Sequence, residues 1–336
     1  MTPFERYQHM LNGEPVDIYP RTPILMQYAA EHIGSNYGAF ASDHRVLVEA
    51  NIACAKDFDF DQVSCISDPY RETSGFGAEI KYHENGVPEC VTPPLADLDE
   101  IEDLEELTIP QTENSVRMKD RVDAIKAYKK QLGETYSILG WVEGPAALAG
   151  DLRGLTDFLM DLIDEPEYSA QLLDICTDTS IQFALEQIKA GADTIGIGDA
   201  ICSQISPTSY DELIWSRQKR LVDAIRSAGA SVRLHICGQT QHLWPKLKEL
   251  DINIFDCDHM VDLQLARATF PPKVVLAGNL DPVGDIRNGT PDEIKAKLNH
   301  CIDLVGTQFM VNAGCEIPSG TPKENVVALC EPITPR

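Results

Sequence analysis

The sequence predicts one TIM-type (β/α)8 barrel spanning residues 1–336, with a short N-terminal extension and an inserted β-hairpin. Three observations carry this. At 336 residues the chain is long enough for one such barrel, and its pattern leaves nothing for a second domain. From about residue 136 onward short apolar runs alternate with helical patterns, and two earlier runs bring the strand count to eight. The runs are apolar at successive positions, which marks strands covered on both faces, as parallel strands wrapped by helices are.

In chain order, 3–11 reads as a helix followed by a turn at Asn12, Gly13, Glu14 and Pro15. A first strand is expected at 22–26, a helix at 46–58, and a second strand at 61–66 that ends at Ser67, Asp68 and Pro69. Residues 78–91 alternate about Asn85-Gly86, a pair suited to the positive φ of a tight hairpin turn. This hairpin falls outside the strand–helix repeat, so it is expected either as a lid over the barrel opening or as decoration of the outer wall. Residues 95–115 are acidic and punctuated by proline, and read as a solvated connection before a helix at 116–132. Strands then follow at 136–142, 194–198, 232–236, 252–255, 273–277 and 308–311, with helices between them and a last helix from 322.

A formal charge of −25, from 53 acidic and 28 basic residues, argues against nucleic acid or an anionic membrane as partner. No run of about 18 apolar residues is present to span a bilayer. The first ten residues hold no apolar segment, so no secretory signal is expected. Ten irregularly spaced cysteines then fit free thiols in a reducing, cytoplasmic setting. P-loop, G-x-S-x-G and complete dinucleotide-binding motifs are absent.

Chemistry in such a barrel sits at the carboxyl ends of the strands. Those ends carry Asp68, Glu143, Asp199, His235 with Cys237, Asp256 with Asp258, Asn279 with Asp281, and Cys315 with Glu316. Side chains two apart on an extended strand project to the same face, so His235 and Cys237 point together. With Cys315 they form the only soft-ligand set on this rim. One imidazole and two thiolates leave the fourth position of a tetrahedral zinc open, as catalytic zinc sites require. The remaining cysteines are expected to be structural, and Asp256 and Asp281 to cap helices. Glu143 and Asp199 are the candidate catalytic acids, because the glycines at 140, 144, 196 and 198 let a group approach the backbone closely. Glu143 is also a candidate oxygen ligand to the zinc, and Asp258 and Asp199 are the expected carboxylate partners of His235.

Residues 235–238 (His-Ile-Cys-Gly), 277–282 (Ala-Gly-Asn-Leu-Asp-Pro) and 314–325 (Gly-Cys-Glu-Ile-Pro-Ser-Gly-Thr-Pro-Lys-Glu-Asn) together resemble the uroporphyrinogen decarboxylase superfamily. The similarity is to its corrinoid-dependent branch, the methylcobamide:coenzyme M-like methyltransferases, and covers nearly the whole chain. The resemblance implies a TIM barrel and a zinc held by His235, Cys237 and Cys315. It further implies a methyl group moved between a small methoxylated compound or thiol and a corrinoid (methylcobamide) carried by a partner protein. In the decarboxylase branch an arginine-bearing segment near the first strand holds substrate carboxylates. Here that segment, 21–31, has Gln27, Ala29 and Ala30 where guanidinium groups are wanted, and Asp151 stands for a tyrosine. Tetrapyrrole decarboxylation and a non-catalytic corrinoid- or substrate-binding role are the alternatives. The expected substrate contacts are Asp68, Tyr70, Arg71 and Asn279, with Tyr70 and Arg71 suited to an aromatic or anionic methyl donor.

Overall fold

The computed structural model describes residues 1–97, 104–105 and 107–335. Seven parallel strands form one curled sheet: β1 (Gln62–Ser64), β4 (Ser137–Glu143), β5 (Thr194–Gly198), β6 (Ser231–His235), β7 (Ile254–Cys257), β8 (Val275–Leu280) and β9 (Phe309–Ala313). Their order follows the chain, as helical crossovers between parallel neighbours dictate. The hairpin is present as an antiparallel pair, β2 (Ile80–Lys81) and β3 (Glu89–Cys90). The acidic connection expected over 95–115 falls partly outside the described residues.

The expected strand at 22–26 is not formed. In its place Arg21 makes a single bridge to Val311 of β9. Thr22 N–H donates to the Val311 carbonyl at 2.9 Å, and Val311 N–H donates to that of Pro20 at 2.8 Å. Asp61 N–H, just before β1, donates to the Arg21 carbonyl at 2.8 Å, so this short segment touches both edges of the sheet. Pro20 and Pro23 flank it, and each lacks the N–H a longer ladder would use. Two other strands start and end two to three residues later than the pattern suggests, which carries Asp256 into β7 and Asn279 into β8.

The strands are buried along nearly their whole length, with helices such as Val116–Leu132, Pro166–Ala190 and Pro291–Val305 packed outside them. Among the described residues no helix is long and apolar enough to cross a membrane.

The two sheet edges are also tied by charge. Asp61 is fully buried and accepts from Arg21 through both its backbone N–H (2.7 Å) and Nε (3.2 Å), and from Arg6 of the N-terminal helix. Replacing Asp61 by Ala takes from two buried guanidinium groups their buried partner, leaving Arg6 only Asp17 and Arg21 only Asp59 as acids, and is expected to cost about 3 kcal/mol in urea-induced unfolding. A loss below about 1 kcal/mol would show that the network is dispensable.

Candidate active site

His235 ends β6, Cys237 follows two residues on, and Cys315 lies just beyond β9. Their ligand atoms, one imidazole nitrogen and two sulfurs, all lie within 4.8 Å of one another. The Cys315 sulfur stands 3.6 Å from Nε2 of His235. On the far side of the ring Nδ1 meets Oδ2 of Asp256 at 3.0 Å. Asp256, not Asp258 or Asp199, is therefore the carboxylate that orients this imidazole. Sitting inside β7 and paired in register with His235, it points across the sheet and caps no helix. The Nε of Arg233 in turn donates to both Asp256 oxygens at 2.9 Å.

The surroundings shift each of these groups. Burial alone would lower the His235 pKa, but Asp256 and the Cys315 sulfur outweigh it and raise the imidazole to about 10. The hydrogen bond from Cys315 pulls the Cys237 thiol below its ordinary value, and the same contact plus burial drives Cys315 up. One thiol is thus poised to lose its proton against the other. This donor set fits a soft, tetrahedral divalent ion such as zinc. A second cluster, Asp43, His44 and Asp120, is a poor match, because Arg45 and Arg121 already hold its carboxylates.

The three residues face a cavity of about 170 Å³. Ile24, Met26, Ile66 and Trp141 form an apolar wall, and Asp68, Glu143 and Glu316 supply the carboxyl groups. Glu316 was not foreseen as a site residue, although its place directly after Cys315 offered the signal. Burial pushes its carboxyl up to about 7, against the Gln27 N–H that it accepts at 3.1 Å. Burial also carries Glu143 well above the usual range, with Glu72 and Asp151 adding to the rise and Arg71 opposing it. Asp68 behaves oppositely: burial disfavours its charge, yet Arg117 and Arg71 hold it well below the usual carboxylate range.

Trp141 explains the glycines of β5. A Cβ at Gly196 would lie 2.2 Å from the indole, and one at Gly198 would lie 3.0 Å away. What approaches the backbone so closely is the protein's own Trp141, whose ring sits 6.0 Å from that of His235.

Four expected site residues have other tasks. Asp199 is fully buried beside Gly144 and accepts from Ala147 N–H (2.7 Å) and Gln218 Nε2 (2.6 Å), so it holds the start of the helix Pro145–Arg153. Asp199 therefore does not line the cavity. Arg71 is fully buried behind Glu143, which it grips together with Glu72 and the Asp68 carbonyl. Tyr70 also stays off the cavity, in a half-buried position near Asp151 and Cys90 of β3. Asn279 donates to the Val261 carbonyl at 3.1 Å and ties β8 to the loop after β7. The hairpin contributes no lining residue either. It packs through Tyr82 on Arg117 (5.3 Å) and through the Glu84 carbonyl on Tyr37 N–H (3.0 Å).

Geometry and sequence converge on one family. A model of the uroporphyrinogen decarboxylase (URO-D) family matches residues 2–334, and the chain belongs to that family. Within it, a methylcobamide:CoM methyltransferase MtbA of Methanosarcina mazei is 27% identical over 98% of this chain and 97% of its own. A uroporphyrinogen decarboxylase of Parasynechococcus marenigrum is also 27% identical, but over 80% of this chain and 76% of its own. A solved methyltransferase structure from Methanosarcina mazei shares the fold with a TM-score of 0.89, at 24% identity over 98% and 97% of the two chains.

Cys237→Ala and Cys315→Ala are expected to abolish zinc retention without unfolding the chain, and Asp256→Asn to weaken zinc by about 10–100-fold. A chelator-competition assay on the folded variants decides this, and full retention by either cysteine variant refutes the ligand set. With the His235 imidazole raised to about 10 and the Cys315 thiol raised as well, zinc must displace protons from both to be held. Zinc affinity should therefore rise with pH between 6 and 8, by about tenfold per unit for each proton displaced, and a flat profile would contradict the His235 environment.

Proposed function

We propose that this chain is a zinc-dependent methyltransferase acting between a small substrate and a corrinoid carried by a partner protein. The observation that carries this reading is the convergence of His235, Cys237 and Cys315 on one side of a mostly apolar cavity. The methylcobamide:CoM methyltransferases support it, being matched across almost their full length. Part of the same reading is a single (β/α)8 domain in which 20–22 serve as the eighth stave.

Zinc held by His235, Cys237 and Cys315 would supply Lewis acidity, lowering the pKa of a substrate thiol or polarising an ether oxygen. The chain's own groups prepare for this. Asp256 accepts from Nδ1 of His235 and so leaves Nε2 free to act as ligand. Cys237, the more acidic thiol, is the first to become a thiolate. Glu316, with its pKa near neutrality, is suited to take the proton a substrate thiol gives up. Glu143, its carboxyl pushed up by burial against the pull of Arg71, is suited to donate one to a leaving alkoxide or phenolate. The apolar wall keeps water from competing with the methyl acceptor.

Decarboxylation of a polycarboxylate is the rival within the family, and the structure offers it little. Arg21, the one arginine in 21–31, turns to Asp59, Asp61 and the Cys330 carbonyl rather than to the cavity. Purified protein is expected to hold about one zinc per chain. It should transfer methyl groups from methylcobalamin to a thiol, or from a methoxylated compound to cobalt(I) corrinoid, and lose this with Cys237→Ala. Absence of zinc, or transfer that survives its removal, would overturn the proposal.

A further inference from the structure

The charge of the cavity narrows the substrate. Among the described residues that line it, none is Lys or Arg. The guanidinium groups that come nearest stand one layer back, each behind an acid that does face the cavity. Arg71 is fully buried and grips Glu143, while Arg117 donates to both oxygens of Asp68 at 2.6 and 3.3 Å. To meet an anionic substrate, either arginine would have to leave a buried carboxylate unpaired. Glu316 stands beside the metal ligands as a third acid, and the rest of the wall is Ile24, Met26, Ile66 and Trp141.

We propose that the end of the substrate remote from the methyl group is uncharged and apolar, and that this site rejects a sulfonate or carboxylate tail. The proposal rests on the methyltransferase reading above and adds to it the class of substrate. An anion entering this cavity gives up its hydration and finds carboxyl groups and hydrocarbon in exchange. A neutral alkyl or aryl tail loses little hydration and gains contact with Met26 and the Trp141 indole. Rejection here comes from buried acids placed against the wrong ligand, a repulsive device.

The test uses the zinc-loaded full chain and calorimetric titration with matched pairs. Propanethiol is compared with 2-mercaptoethanesulfonate, and 4-methoxyphenol with 4-methoxybenzoate. The neutral member of at least one pair is expected to bind about tenfold or more tightly than its anionic partner. Met26→Arg, which puts a cation into the wall, should narrow or invert that preference while zinc content stays unchanged. Equal or tighter binding of the anionic member by the unaltered chain in both pairs overturns the proposal and leaves the methyltransferase reading standing. If no member of either pair binds, and no methyl transfer is found, both fail together.

Discussion

One buried carboxylate connects the barrel to its chemistry. Asp256 lies in β7, accepts twice from Arg233 of β6, and with the same Oδ2 holds Nδ1 of His235. Arg233 reaches on to the Oε1 of Gln62 in β1 at 3.0 Å and to the Thr22 carbonyl at 3.4 Å. A polar layer thus crosses the interior from the segment beside Arg21 to the candidate metal ligand. Because the members sit on paired neighbouring strands, the imidazole inherits its orientation from the strand register. A site built on strand ends and backed by such a layer is held more firmly than one carried on loops.

Around that line the protein arranges carboxyl groups of opposite character. Asp68 is kept ionised by Arg117 and Arg71, whereas burial drives Glu143 and Glu316 toward their neutral forms, in Glu143 against the pull of Arg71. Acids separated in this way can take different roles at one pH, one as a fixed charge and others as proton carriers. Glu143 and Glu316 border the same mostly apolar cavity.

Much of this was legible in the sequence, and the failures have physical causes. The two-residue spacing of His235 and Cys237 pointed to the pair even though β6 ends at His235 and Cys237 lies just past it, and Cys315 followed from the last apolar run. Asp281 indeed caps, accepting from the N–H groups of Val283 and Gly284. Asp256 was misjudged because apolar pattern locates a strand's centre better than its end. Two residues of error turned a side chain inside the sheet into one beyond it. The first strand failed for a reason that was visible, since Pro20 and Pro23 leave a ladder few donors. Arg71 could not have been read: whether an arginine meets substrate or a neighbouring acid depends on Glu143, 72 residues away in the chain. The glycines of β5 did signal a close approach, but only the structure shows that the approaching group is Trp141.

The acidic surplus of this chain is more than a surface property. Arg21, Arg71, Arg121 and Arg233 are almost completely inaccessible, and each faces at least one carboxylate. With 53 acids to 28 bases, cations are scarce, and those in the interior are committed to internal acids. Releasing one for ligand binding would leave a charged partner in a low-dielectric setting, so these pairings compete directly with recognition of an anion. The arginines that organise the barrel are thereby withheld from its cavity. Among the described residues, what lines the cavity instead is an imidazole, two thiols, three carboxyl groups and a hydrophobic wall.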